Sequence, residues 1–192
     1  MKEKKEKRRW GLMLFIVMIM VGTSFSVVFF GFSGTREVVK YNDIKFARMQ
    51  DRWEAKVNGK NAAFSFLPNE VEIIADFNES AKMLQNKFEI DVTYDQNSTF
   101  KEAIALAQHQ MALTLANYDI FVRKGFISNN TFGLPIIGCK DATAQIPVVY
   151  FRHGNETKIS NKNSCVIVEA SSNAEFIMAK DRLLYSILGV IK

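Results

Sequence analysis

The chain has 192 residues, with 25 Lys and Arg against 20 Asp and Glu, which gives a formal net charge of +5. Six basic and two acidic residues lie among the first nine positions, so most of the excess positive charge belongs to the N-terminus and the remainder is close to neutral. A near-neutral domain argues against nucleic-acid binding, which needs a concentrated basic face.

An apolar run without a charged side chain follows this basic segment, from Trp10 to Phe32. A helix of that length extends about 34 Å, and the hydrocarbon core of a bilayer is about 30 Å thick. We therefore predict a basic cytoplasmic tail over residues 1–9 and a transmembrane helix over residues 10–32. Because basic residues normally stay on the cytoplasmic side, the rest of the chain is predicted to lie outside the cell membrane as a single-pass, signal-anchored protein.

A cleaved signal peptide is the main alternative. Its apolar region would be about 7–15 residues long and would end in a small-x-small site. This run is longer, and only Gly31 and Ser33 offer a weak pair of that kind. The uncleaved anchor is therefore the favoured interpretation.

After a predicted linker over residues 33–40, residues 41–192 are long enough for one domain. Apolar and polar residues alternate over 44–49, 52–57 and 63–67, with an Asn58-Gly59 turn signal before the third segment. This pattern predicts an antiparallel meander, and residues 71–74 either continue it or lead into the next element.

The second half of the domain predicts a mixed sheet with two main helices, and the fold class is therefore α+β. Thr99 and Glu102 have capping-box spacing at the start of a helix that runs to residue 117, and residue 189, a glycine, stops a second helix that begins at residue 173. A βαβ unit is predicted from strand 88–94, the first helix and strand 120–122. The other predicted elements are a short helix over 78–87 and strands over 134–139, 146–151 and 165–169.

The two cysteines, Cys139 and Cys165, both lie in the predicted exported domain. An oxidising compartment favours a disulfide between them, which would close a loop of about 26 residues and stabilise the fold by about 3 kcal/mol. Two separate buried thiols, or a catalytic or metal-binding thiol, are the other interpretations.

A candidate catalytic group surrounds the first cysteine. Cys139 and Asp141 follow a predicted strand, and His153 follows the next one, so the imidazole could deprotonate the thiol for acyl transfer. Pairing with Cys165 would remove this nucleophile, and we therefore assign no catalytic residue. A redox-active pair of Cys139 and Cys165 is a further alternative.

Metal and cofactor motifs are absent from the sequence. The two histidines, His109 and His153, have no zinc-binding spacing, and no phosphate-binding glycine motif occurs. We therefore predict no metal and no cofactor. Asp181 and Arg182 on the last helix are interpreted as a solvated or locally paired duo.

Four Asn-x-Ser/Thr sequons are candidate glycosylation sites if the domain is exported. Chance occurrence in an asparagine-rich chain is the alternative. The asparagines are Asn78, Asn97, Asn129 and Asn155.

Seven segments carry a resemblance to other proteins, namely residues 41–46, 64–68, 135–143, 146–150, 157–159, 165–169 and 181–189. They resemble a family of uncharacterised archaeal single-span membrane-anchored proteins. The resemblance implies an archaeal membrane origin but no activity. Because both cysteines lie within these segments, it also favours their pairing.

Together these features predict a membrane-anchored extracytoplasmic domain that is not catalytic. Its partners would be the lipid bilayer and either a protein of the cell envelope or further copies of itself, with a role in binding, scaffolding or assembly. The alternative is an envelope enzyme or redox protein that uses Cys139 and Cys165 with His153.

Overall fold

The computed structural model describes residues 3–30 and 37–191. The chain divides into two compact units, Met1–Glu37 and Val38–Lys192. The second unit is an α+β domain with one antiparallel and one mixed sheet, as the sequence predicts.

The first unit contains one helix, α1, over Glu3–Phe30. Large apolar side chains are exposed along it, with Trp10 at 72% and Phe15 at 64% of their full accessibility. Crossing a membrane takes about 20 consecutive apolar residues. In the part of the chain that the structure describes, no helix has the length and apolar character for this. This finding differs from the predicted transmembrane helix over 10–32, whose residues 31 and 32 lie outside the described residues.

The second unit opens with a four-stranded antiparallel meander in the order β1-β2-β3-β4. The predicted strands over 44–49 and 52–57 have the expected bounds. The predicted strand over 63–67 is found at Lys60–Phe64, closer to the N-terminus. The predicted linker 33–40 is too long, because Val38 and Val39 already pair with Ala47 and Phe46 of β2. The strands are β1 Val38–Tyr41, β2 Ile44–Met49, β3 Arg52–Val57 and β4 Lys60–Phe64.

Six further strands form the mixed sheet, in the order β5-β9-β10-β8-β6-β7. Strands β10, β8, β6 and β7 run parallel, and β9 is antiparallel to β10. The predicted βαβ unit is confirmed, because β6 and β7 are parallel neighbours on either side of a helix in the chain. The elements are α2 Pro68–Val71, β5 Ala75–Asp76, β6 Glu89–Tyr94, α3 Lys101–Ala116, β7 Phe121–Phe126, β8 Val148–His153, β9 Lys158–Lys162, β10 Cys165–Ala170 and α4 Asn173–Ile187.

Two local predictions are wrong. The capping box of Thr99 and Glu102 does not form, because α3 begins only at Lys101 and Phe100 is the residue before it. The backbone N–H of Phe100 donates to the Ser98 hydroxyl oxygen. Segment 134–139 is a loop with one bridge, between Ile136 and Phe126, because Pro135 and Gly138 interrupt a ladder. Segment 71–74 ends α2 and leads into β5, which is one of its two predicted outcomes. The predicted short helix over 78–87 is a 3-10 helix over Phe77–Leu84.

The main core is formed where α3 and α4 pack against each other and against both sheets. Phe46, Phe64 and Tyr185 meet at its centre, and the last two stack with ring centroids 4.1 Å apart. Helix α4 is buried over most of its length because it contacts α2, α3 and β10. The arrangement brings polar residues of α4 into a buried environment.

The other face of the mixed sheet has a smaller apolar cluster. Ile137, Val148 and Cys165 are buried there, under the loop that follows β7. The hydroxyl of Thr93 donates to the carbonyl oxygen of Ile137 at 2.8 Å and fixes this loop on β6.

Candidate functional site

A cavity of about 300 Å³ lies between the meander and the two long helices. Strands β3 and β4 supply one side, and α3 and α4 supply the other. Amide, hydroxyl and charged groups share its wall with small and large apolar side chains. The lining residues are Arg52, Glu54, Asn61, Ala62, Ala63, Phe64, Ser65, Gln110, Leu113, Thr114, Asn117 and Lys180.

The innermost charged group of the cavity is Lys180, which is only 1% exposed. Its ammonium group is paired with Asp181 Oδ1, and Asp181 is completely buried. The second oxygen, Asp181 Oδ2, accepts hydrogen bonds from the backbone N–H groups of Ser65 and Phe66 at 2.8 and 2.9 Å. These two N–H groups directly follow β4, so one carboxylate joins the end of the meander to α4.

Burial sets the protonation behaviour of this group. The pKa of Asp181 is raised because burial disfavours its charged form, while the ion pair with Lys180 and the two backbone donors act in the opposite direction. Burial also raises the pKa of Tyr185, with a further contribution from Asp181. The Tyr185 hydroxyl is therefore neutral, and it donates to the carbonyl oxygen of Phe66 at 2.6 Å.

The charges around the cavity are balanced in pairs. Arg52 binds Glu54 at 2.7 Å near the mouth, and Lys180 binds Asp181 inside. The remaining polar wall consists of uncharged amides and hydroxyls, among them the Gln110 side chain, whose oxygen accepts from the Ser65 hydroxyl at 3.4 Å. This arrangement suits a small polar group that forms hydrogen bonds, because no unpaired charge in the described wall would attract an ion.

Asp181 and Arg182 are predicted to be solvated or locally paired. They are not solvated, since both are buried, and each has a side-chain partner elsewhere on α4. Arg182 bonds to the Ser186 hydroxyl one turn further along α4. One sequence signal pointed to this burial, because Lys180 falls within the apolar positions of the helix. A charged side chain at such a position needs a partner, and the neighbouring aspartate supplies it.

The predicted pair of Cys139 and Cys165 is a disulfide, with Cα atoms 5.2 Å apart. Cys165 is fully buried at the first position of β10, and Cys139 begins a 3-10 turn over Cys139–Asp141. The bond holds the loop after β7 on the outer face of the mixed sheet.

The candidate catalytic group does not assemble. Cys165, the disulfide partner of Cys139, pairs in register with Val148 of β8. His153 lies five residues further along β8, which is roughly 16 Å from Val148 at the rise of an extended strand. The His153 ring stacks on Phe100, with centroids 5.3 Å apart. Asp141 Oδ2 instead accepts from the backbone N–H of Gly138 at 2.8 Å and caps the 3-10 turn.

The other sequence candidates lie on the surface. His109 is exposed on α3, and Asn97, Asn129 and Asn155 are exposed in loops. Asn78 lies in the 3-10 helix after β5, with a side chain outside the described part. In residues 3–30 and 37–191, no group of three or more His, Cys, Asp or Glu side chains could hold a metal ion.

Comparison with family models, with curated proteins and with solved structures finds no match to this chain. The resemblance to archaeal membrane-anchored proteins therefore stays a prediction from sequence.

Proposed function

We propose that this protein is a membrane-attached, extracytoplasmic domain that binds a component of the cell envelope and performs no catalysis. The disulfide between Cys139 and Cys165 is the observation that carries the proposal. Such bonds persist in oxidising compartments and are rare in the reducing cytosol. The same bond uses both thiols of the domain, which supports a binding role over a thiol-dependent enzyme.

The N-terminal helix supports attachment to lipid. Its apolar side chains between Trp10 and Phe25 are exposed on α1, where water is an unfavourable environment for them. In this proposal the N-terminal segment attaches the chain to the bilayer, and the basic residues before the apolar run stay on the cytoplasmic side.

The redox state of the cysteines in growing cells tests this placement. Cells are quenched with acid, thiols are alkylated, and the mass of the chain is compared before and after reduction. The full chain is expected to take up the alkylating reagent only after reduction, whereas a truncated chain without residues 1–36 is retained in the cytosol and is alkylated at both positions. Free Cys139 and Cys165 in the full chain would contradict export.

The cavity between the meander and the helices supports binding. Its volume of about 300 Å³ and its polar wall, in which the charged side chains are paired, suit a small hydrogen-bonding group presented by an envelope component. Leu113 is 59% exposed at the mouth, where an apolar residue beside polar groups is typical of a recognition site.

Two leucines of α3 provide a matched test of the cavity. Leu113 lines it, and Leu106 is 48% exposed on the same helix two turns earlier without lining it. The amount of envelope component that copurifies from solubilised membranes is expected to fall about tenfold or more in the Leu113→Glu variant. The reason is that this variant places a charge at the entrance of the cavity. The Leu106→Glu variant is expected to retain it. Equal recovery with both variants would remove the cavity from the proposal.

A further inference from the structure

The fold gathers three separate sequons at one edge of the mixed sheet. Asn97 follows β6, Asn129 follows β7 and Asn155 follows β8. These strands are adjacent, in the order β8-β6-β7, and they run parallel, so their carboxyl ends lie at the same edge. Neighbouring strands are about 4.8 Å apart, which places the three loops within roughly 10–15 Å of one another.

Contacts between the loops make this edge a continuous surface. The side-chain amide of Gln96 donates to the carbonyl oxygen of Asn129 at 2.5 Å and joins the loops after β6 and β7. Phe100 stacks on His153 and joins the loop after β6 to the end of β8. The three asparagines are exposed, and each has a threonine two residues later.

We infer that this edge is a glycosylated face that carries N-linked oligosaccharides on Asn97, Asn129 and Asn155. The inference rests on the extracytoplasmic placement proposed above, because glycan transfer takes place on exported chains. In each reaction the side-chain amide nitrogen forms a bond to C1 of an oligosaccharide carried on a lipid phosphate. The bond between C1 and the phosphate oxygen breaks, the lipid phosphate leaves with the bonding electrons, and the amide loses one proton.

The face has a consequence for partner binding within the same domain. The polar cavity is lined by β3, β4, α3 and α4, and none of the three sequon loops contributes to its wall. Glycans at the edge therefore cover a surface distinct from the cavity and leave its lining residues free of attached sugar.

Peptide mapping of the full chain, isolated from the membranes of its native cells, tests the inference. Trypsin places Asn97, Asn129 and Asn155 on three separate peptides, since Lys or Arg residues lie between them. Asn173 is a built-in control, because it is exposed at the start of α4, beyond the carboxyl end of β10, and has no sequon. We expect an added oligosaccharide mass on each of the three peptides and none on the peptide with Asn173.

A second measurement on the same cells separates failure of this inference from failure of the proposed placement. Intact cells are treated with an amine-reactive reagent that does not cross membranes, and labelling of Lys101 is read from the digest. Unmodified sequon peptides in a chain labelled at Lys101 would overturn the glycosylated face and leave export standing. Unmodified peptides in a chain protected from the reagent would overturn both. Sugar on Asn173 would also contradict the inference, since modification would not follow the sequons.

Discussion

At the residue scale, the most unusual group is the buried pair of Lys180 and Asp181. Transferring two charges from water into a protein interior is costly, and the cost is offset only when each charge has close partners. Asp181 has three of them, the Lys180 ammonium and the backbone N–H groups of Ser65 and Phe66. The pair therefore fixes the end of β4 on α4 beside the cavity.

Replacement of the lysine is expected to destabilise the domain strongly. In Lys180→Met, the Asp181 carboxylate stays buried without its cation, and we expect a loss of about 3 kcal/mol in the free energy of unfolding. Chemical denaturation of the detergent-solubilised chain measures this loss. The control Lys101→Met removes an exposed lysine at the start of α3 and should change stability little.

A double-variant cycle isolates the interaction itself. Lys180→Met combined with Asp181→Asn should cost less than the sum of the two single losses, because the double variant leaves no unpaired charge. Strict additivity would show that the two residues do not act as a pair.

Tyr118 provides a test of pH dependence. Burial raises its pKa to about 12, and its hydroxyl donates to the carbonyl oxygens of Val57 and Lys60. Because the folded-state pKa lies above the usual value near 10, this residue contributes stability that is fully present below pH 10 and is lost as the pH rises towards 12. Tyr118→Phe should therefore cost about 1 kcal/mol at pH 8 through the lost hydrogen bonds.

The informative quantity is the difference in the free energy of unfolding between Tyr118→Phe and the wild-type protein. It should shrink between pH 10 and pH 12, since only the wild-type protein loses the contribution of a neutral phenol. Unfolding free energies measured at both ends of this range test the sign. A difference that stays constant would show that Tyr118 ionises equally in folded and unfolded chains.

At the element scale, the loop between β7 and β8 depends on the disulfide. Cys139 and Cys165 hold it on the sheet, and Ile137 fills the apolar cluster beneath. The double variant Cys139→Ser with Cys165→Ala should lose about 3 kcal/mol, the magnitude expected for opening a loop of this size.

Amide hydrogen exchange locates the effect of that double variant. Faster exchange is expected first in residues 127–142, because they lose their covalent attachment to β10. The amides of α3 serve as the internal reference, since they lie on the other face of the sheet. Equal acceleration in both regions would mean that the disulfide stabilises the domain globally and has no special effect on the loop.

Close packing of the same loop requires a glycine in β7. A Cβ atom at Gly125 would lie 2.7 Å from the carbonyl oxygen of Pro135 and 2.7 Å from the end of the Ile137 side chain. Gly125→Ala should therefore cost about 1–3 kcal/mol, as overpacking of a tight contact does. Gly138→Ala is the matched control, because its Cβ would meet nothing closer than 3.9 Å. Similar thermal unfolding of both variants would contradict the packing described.

At the scale of the whole molecule, the sequence predicts elements better than it predicts their environment. Alternation alone located β2 and β3, and the βαβ unit followed from a strand, a helix and a strand in succession. These signals are local. Burial of Asp181 is not, because it depends on Ser65 and Phe66, more than a hundred residues earlier in the chain.

The candidate site was largely hidden from sequence reasoning for the same reason. The Cys139 and His153 hypothesis assumed that loops after successive strands meet, but Cys139 lies near the amino end of β10 while His153 ends β8. Conversely, the sequons appeared scattered, and only the parallel order β8-β6-β7 places three of them at one edge.

Lysine labelling in intact cells tests the proposed orientation of the chain across the membrane. An amine-reactive reagent that does not cross membranes is applied before and after permeabilisation, and tryptic peptides are quantified. We expect Lys101 and Lys140 of the domain to be labelled in intact cells, and Lys2, Lys4, Lys5 and Lys7 of the N-terminal tail only after permeabilisation. Labelling of the tail with protection of the domain in intact cells would contradict the proposed function.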